Sequence, residues 1–281
     1  TQKVERYKYT DVSAAFAPDY GLNLNRLDIP VAPYETFRCD VPNLSSSLYF
    51  VVNDSFYSKS LPTVSLPEGV IVCSLKEAAI KYPQRVASYY GQLARPEKDA
   101  ISALNTMLAQ DGLFIFVPRN TNVDRTIQIV NILRSDVDLM VNRRVLIILE
   151  ENAQARILFC DHAADDRNFL ATQVVEVFAE ENSSLEIYEL EETHVKNKRF
   201  SNMFVEQRRD SRVTLNSITL HNGLTRNRTD VNLSGTGAEI NMYGCVIADK
   251  AQHVDNNTLI DHRMSHCTST VSYTHLRAHE T

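Results

Sequence analysis

RVLIILE (144–150), ENAQ (151–154) and ARILFCDH (155–162) are followed by a second run of the same build, VVEVFAE (174–180), ENSS (181–184) and LEIYELEE (185–192). MFVEQ, RRDSR and VTLNSITLH (203–221) make a third copy, and VNL, SGTG and AEINMYGCV (231–246) a fourth. Laid on one another, Val145/Ile147 falls on Val175/Val177, Met203/Val205 and Val231/Leu233, at intervals of 30, 28 and 28 residues. The second segments follow as Ala155/Ile157, Leu185/Ile187, Val213/Leu215 and Ala238/Ile240, at intervals of 30, 28 and 25. The last interval reads as a shortened turn between Leu233 and Ala238, which contains Gly235 and Gly237. A fixed period of this size, built from short β-rich segments, marks a solenoid in which each repeat buries its apolar face only against its neighbours.

The pattern predicts a mainly β chain, a parallel β-helix, right-handed because parallel crossovers almost always are. Val177, Ile187, Val205, Leu215, Leu233 and Ile240 are expected inside. Arg156 falls over Glu186 on the outer surface as an opposite-charge cross-strand pair. Phe159 continues the inward series, but its counterparts are Glu189 and Ser217. A corner that turns those two side chains outward is the expectation.

Upstream lies an α/β segment, residues 1–112, with two helices. Ser74-Leu-Lys-Glu77 reads as a capping box at the first helix start, and Leu75, Ala79, Tyr82, Val86, Tyr89 and Leu93 follow at helical spacing. Pro83 falls within that run and is expected to kink or split it. The second helix is expected from Pro96-Glu97, with Ile101, Leu104 and Leu108 on one face, ending at Asp111-Gly112. Strands are expected at Leu48–Val52 and Val70–Cys73, and the helices are expected to cover the open end of the solenoid. LFIFVP (113–118) and TIQIVNIL (126–133) read as a first, irregular rung, so the β-helix core is placed at 113–269. Residues 270–281 are set apart as a non-native tail, because VSYTHLRAHET (271–281) leaves the repeat pattern and resembles translated adapter or vector sequence.

The 281 residues are 43% hydrophobic and 23% charged, a globular composition. The formal net charge of −6 gives no electrostatic footprint for nucleic acid or an anionic membrane surface. Only 8 glycines are present, so Asn152, Asn182 and Asp210 are expected to make equivalent turns. Five cysteines at wide spacing (Cys39, Cys73, Cys160, Cys245, Cys267), with no C-x-x-C, point to buried thiols in a reducing compartment. No apolar run is long enough to span a bilayer and Thr1 opens no signal-peptide pattern, so a cytoplasmic protein is expected.

The densest chemistry lies at His253, His262, His266 and Cys267, ligand types that zinc and iron accept. Residues four apart on an extended strand are about 13 Å apart, so a structural role is favoured over a metal site. Glu189, Glu191 and Glu192 carry a rival reading, paired carboxylates for polysaccharide chemistry, against which stands a solvated acidic edge. Arg208, Arg209, Arg212, Arg226 and Arg228 read as an outer ladder facing glutamates. Cys160 and Cys245 read as small buried hydrophobes. No Walker, G-x-G-x-x-G or G-x-S-x-G motif is present.

HVDNNTLIDHRMSHCTS (253–269), preceded by the repeats, by PRNTNVDRTIQIVNI (118–132) and by KVERYKYTDV (3–12), resembles the SufB/SufD family of iron–sulfur cluster assembly proteins, and SufD more than SufB. The resemblance runs from Lys3 to Ser269. It implies a non-catalytic scaffold that pairs with a SufB-like subunit through the β-helix and docks a SufC-like ATPase through a C-terminal region. The iron–sulfur cluster is then handled by the whole complex, and no cofactor is expected on these residues. The family's Cys-x-His element near the C-terminus has no counterpart here. Cys267 is not that cysteine, and no cluster ligand carries over. A carbohydrate-active β-helix enzyme and a simple interaction module are the alternatives from other classes.

Overall fold

A computed structural model describes residues 5–25, 30–33, 46–59 and 65–277. In chain order, the segment before the solenoid contains helix α1 (Val12–Phe16), strands β1 (Gly21–Leu22), β2 (Ser46–Val52), β3 (Ser55–Phe56) and β4 (Ile71–Ser74), then helices α2 (Leu75–Lys81), α3 (Pro83–Tyr89) and α4 (Ala100–Leu108). The solenoid follows as pairs of strands. These are β5 (Gly112–Val117) and β6 (Thr126–Leu133), β7 (Leu139–Leu149) and β8 (Gln154–Ala163), and β9 (Phe169–Ala179) and β10 (Ser184–Glu192). Three more pairs complete it, β11 (Lys198–Gln207) and β12 (Arg212–His221), β13 (Leu224–Leu233) and β14 (Glu239–Ala248), and β15 (His253–His262) and β16 (Thr268–Arg277).

Odd and even strands stack into two parallel sheets, β5-β7-β9-β11-β13-β15 and β2-β6-β8-β10-β12-β14-β16, so the chain is a parallel β-solenoid as the repeats foretold. All six marker residues, Val177, Ile187, Val205, Leu215, Leu233 and Ile240, are buried in one continuous core between the sheets. Arg156 and Glu186 meet on the outside, Nε to Oε2 at 3.1 Å.

The corner after each odd strand needs one residue with positive φ. Asn120, Asn152, Asn182 and Asp210 fill it with φ between 54° and 59°, Gly237 with 75° and His266 with 59°. Asn and Asp tolerate this region better than other side chains, because the short polar group bonds locally. The amides also join the rungs. Asn152 Nδ2 donates to Asn120 Oδ1 at 2.8 Å, and Asn182 Nδ2 donates to Asn152 Oδ1 at 2.7 Å.

The fourth copy is placed differently from the sequence alignment. Val205 pairs with Val231 and Val213 with Ile240, giving intervals of 26 and 27 residues, where the alignment put Val231 over Met203 and Ala238 over Val213. A slip of two keeps every side chain on its face, so apolar periodicity cannot detect it. The shortening occurs at the opposite corner: β12 ends at His221 and β13 starts at Leu224, whereas Thr193–Asn197 separate β10 from β11. Gly223 makes the short corner possible. A Cβ there would stand 2.2 Å from the Val195 carbonyl oxygen and 2.5 Å from that of Asn197.

Pro83 splits the first helix, as expected, and begins α3. Ser74 Oγ accepts from Glu77 N at 3.2 Å, but the Glu77 carboxylate pairs with Lys81 and the Ser74 hydroxyl donates to Asp111 Oδ1, so the cap is not reciprocal. The second helix is displaced. Pro96–Lys98 form one 3₁₀ turn, Asp99 is extended, and its Oδ1 caps α4 by accepting from Ser102 N at 2.9 Å. Nor do the helices cover the solenoid end. α2 and α3 pack Leu75, Ala78 and Val86 on Phe114, Phe116, Leu146, Ile148 and Phe178, apolar residues on the outward face of the first sheet. The first rung is bounded instead by β4, antiparallel to β5, and by the β2–β3 hairpin. At the other end the strand pattern continues through the segment set apart as a tail, because β16 pairs with β14 from Glu239↔Thr268 to Ala248↔Arg277. Main-chain pairing requires no apolar alternation. Residues 278–281, with His279, lie outside the described residues, as does Cys39.

Candidate functional site: a charged cluster inside the solenoid

Two apolar clusters fill the space between the sheets, one around Ile147, Ile157 and Val177 and a smaller one of Leu133, Leu139, Val141, Phe169 and Ala171. Between them the inward positions turn polar. Register fixes one column as Arg143, Gln173, Ser201, Asn227 and Asn256, and facing columns as Phe159, Glu189, Ser217 and Asp161, Glu191, Thr219. Glu189 and Ser217 therefore keep the inward parity of Phe159, against the outward corner expected for them.

Arg143 Nη1 donates to Asp161 Oδ1 at 2.7 Å, and its Nε donates to the Asn53 carbonyl at 2.7 Å. Arg199, on β11, lies with Nε 3.2 Å from Asp161 Oδ2 and Nη2 3.1 Å from Glu189 Oε1, while Nη1 donates to Asn227 Oδ1 at 2.8 Å. Thr225 donates to Glu191 Oε1 at 2.6 Å. Buried ions survive only when paired and hydrogen-bonded, and the chain from Arg143 through Asp161 and Arg199 to Glu189 pairs every charge, leaving only Arg143 Nη2 and Arg199 Nε without a hydrogen bond.

Burial pushes the Glu191 carboxyl up to about 7, against the opposing pull of Arg199 and the Thr225 hydroxyl. Burial also raises Glu189, opposed by Arg199. Burial lowers Arg143 despite Asp161. For Arg199, burial works against the charge, but Asp161, Glu189 and Glu191 outweigh it and hold the guanidinium firmly protonated. Within the cluster, the Glu191 carboxyl is the one raised to about 7, where it holds or releases a proton near neutrality.

The acidic edge expected at Glu189–Glu192 is confined to Glu192, because Glu191 is 4% exposed and Glu189 faces Arg199. A polysaccharide hydrolase presents two carboxyls to an open groove, and here Glu191 is enclosed and Glu189 is tied to Arg199. The expected arginine ladder divides in two. Arg208, Arg209 and Arg212 do meet Glu206, Glu181 and Glu239. Arg226 and Arg228 are buried on the outer face of the first sheet, paired with Asp255 and with Asp99 and Asp230. Cys160 is buried and Cys245 half-buried, and Cys73, Cys160, Cys245 and Cys267 form no disulfide with one another.

The histidines are not brought together. His253 opens β15 and His262 closes it, nine residues and about 30 Å apart on an extended strand. His253 Nε2 lies 3.4 Å from Thr10 Oγ1, His262 Nε2 lies 3.0 Å from Ser269 Oγ, and Cys267 Sγ donates to the Gly235 carbonyl at 3.2 Å. His266 occupies the positive-φ corner. Among the described residues no three His, Cys, Asp or Glu side chains converge as a metal site.

Arg143, Asp161 and Arg199 were not singled out from the sequence. For Arg143 and Asp161 the signal was there, a charged residue between apolar neighbours at the inward parity, Val141 and Val145 or Phe159 and Ala163; Arg199, with Ser201 beside it at that parity, carried no such mark.

The fold and its interior define a parallel β-solenoid with an ion-paired polar stretch in its core. Residues 1–129 match the SufBD protein N-terminal region, and residues 132–279 match the SufBD core domain of the SUF system of iron–sulfur cluster assembly. The chain belongs to the SufBD family. It is 30% identical over 162 residues to the iron–sulfur cluster assembly SufBD family protein ABCI9 of Arabidopsis thaliana, covering 57% of this chain and 33% of that protein. It is 25% identical over 206 residues to the SufBD family protein slr0076 of Synechocystis, covering 70% of this chain and 43% of the relative. The matches thus span less than half the length of these curated relatives.

Proposed function

We propose that these residues form part of a non-catalytic, SufD-like scaffold subunit of a cytoplasmic iron–sulfur cluster assembly complex. It pairs with a SufB-like subunit through the β-solenoid and engages a SufC-like ATPase through a region outside residues 1–281. The observation that carries the reading is the end-to-end match to the two family domains on a solenoid whose buried ions are bonded to one another. The burial of Glu191 and the pairing of Glu189 with Arg199 weigh against the carbohydrate-active alternative. No helix among the described residues is long and apolar enough to cross a membrane. Co-purification of a full-length version with SufB-like and SufC-like partners tests the proposal. A ternary complex is expected, and failure to associate with either partner overturns it.

A further inference from the structure

Residues 5–22 are not part of the coil, yet they cross the outer face of its first sheet from β7 to β15. Gly21 and Leu22 pair with Leu139 and Met140 of β7. Lys198 Nζ, at the start of β11, donates to the Ala15 carbonyl at 3.3 Å and lies 3.0 Å from Tyr20 Oη. Phe16 rests against Phe200, ring centroids 5.3 Å apart. Tyr7 lies under the Arg226 guanidinium of β13 at 4.5 Å and donates its hydroxyl to Asp99 Oδ2 at 2.6 Å. Thr10 donates to Asp255 Oδ2 of β15 at 2.6 Å.

Asp99 is the hub. The same carboxylate caps α4 through Ser102 N, accepts from Asn202 of β11 at 2.8 Å and lies 3.1 Å from Arg228 of β13. Its own burial disfavours the charge, but Tyr7, Ser102, Arg228 and Asn202 together hold its carboxyl below the usual range. Against this, the segment's apolar anchorage is small. Tyr7 and Ala15 are buried against Ile101, Leu170 and Phe200, with Val12, Phe16 and Tyr20 only partly covered. Beside the two-residue main-chain pairing at Gly21–Leu22 and the Arg226–Tyr7 contact, the polar contacts are hydroxyl and ammonium hydrogen bonds, which water replaces at little net cost once both partners are exposed.

A segment held by few apolar contacts, bonded at its far end to β15, has the character of a unit that opens below the global unfolding free energy. We propose that residues 5–22 are a detachable clasp: latched, they order β13 and β15 through Asp99, Arg226 and Asp255, and released, they loosen the β15 end and uncover Arg226. The inference stands on these contacts alone and does not depend on the assembly role.

Hydrogen–deuterium exchange read by mass spectrometry on the whole chain tests it, with Tyr7→Phe and Thr10→Val as variants. Each removes one hydroxyl and keeps the side-chain bulk. Exchange is expected to quicken about 10-fold in peptides covering residues 5–22 and 253–262 together, with 144–163, which the segment does not touch, unchanged. Lys198→Met, which frees the clasp at a contact remote from Asp99 and Asp255, is expected to give the same paired signature. A clasp that quickens while 253–262 does not, no change in either peptide, or an equal rise across all strands overturns the proposal.

Discussion

Glu191, in the interior cluster, has its carboxyl raised to about 7, and the cause is burial. Its unfolded carboxyl titrates near 4.5 and its folded one near 7, so between those values the folded chain keeps a proton that the unfolded chain has lost. The stability this contributes is present in full below about pH 4.5 and is lost as pH rises through 7. Glu191→Gln removes the titration and keeps the shape. In urea denaturation the variant is expected to gain on the wild type by on the order of 2 kcal/mol between pH 5 and pH 8. A stability difference independent of pH would show that Glu191 is ionised in the fold throughout. From sequence, the three glutamates at 189, 191 and 192 looked alike, because acidic residues are mostly exposed. What separates them is the partner across the interior, Arg199 and Thr225, and a partner on another rung is invisible until the register is known.

At the scale of elements, the helices are held to the first sheet by more than their apolar stripe. Glu176, on the outward face of β9 and fully buried, bonds Arg144 Nη2 at 2.6 Å and accepts from the main-chain N–H groups of Gly91, Leu93 and Ala94 at 2.8–3.0 Å. The loop after α3 is therefore fastened by one carboxylate. Glu176→Ala leaves Arg144 buried without its counter-ion, a change expected to cost about 3–5 kcal/mol in urea denaturation. Early proteolytic cleavage within 83–95 is expected to accompany it. A loss under about 1 kcal/mol would mean that the apolar packing of Leu75, Ala78 and Val86 suffices. Sequence reading fared unevenly here for definable reasons. Strand alternation and the Asn and Asp corners carry their own local signal, so the strands of four rungs and the corners at Asn152, Asn182 and Asp210 were legible. The fourth copy's register was not, since Val231 sits on the same face whether it lies over Met203 or Val205. The placement of the helices depended on Phe114, Phe116, Leu146 and Ile148 facing outward, and a fully apolar strand does not declare which of its faces meets the core.

At the scale of the whole molecule, the two ends of the solenoid are closed differently. The first sheet is terminated at one end by antiparallel β4 and the second by β3, whereas β15 and β16 are the last strands in their sheets, with no strand beyond them among the described residues. Leu259, outward on β15, is 55% exposed, and Ile260, inward, is only partly buried against the core. An uncovered parallel edge with an apolar residue beside it is a template for another chain. The 281-residue chain is expected to elute from size-exclusion chromatography as concentration-dependent oligomers. Leu259→Lys is expected to shift it toward monomer, because a lysine on an edge strand repels a second copy while its stem still lies along the surface. The variant leaves the inward face of β15 untouched, so the core should be unaffected and the two chains should unfold at similar urea concentrations. A monomer at every concentration without the substitution would show that the last rung, including Thr268–Arg277, closes the solenoid by itself.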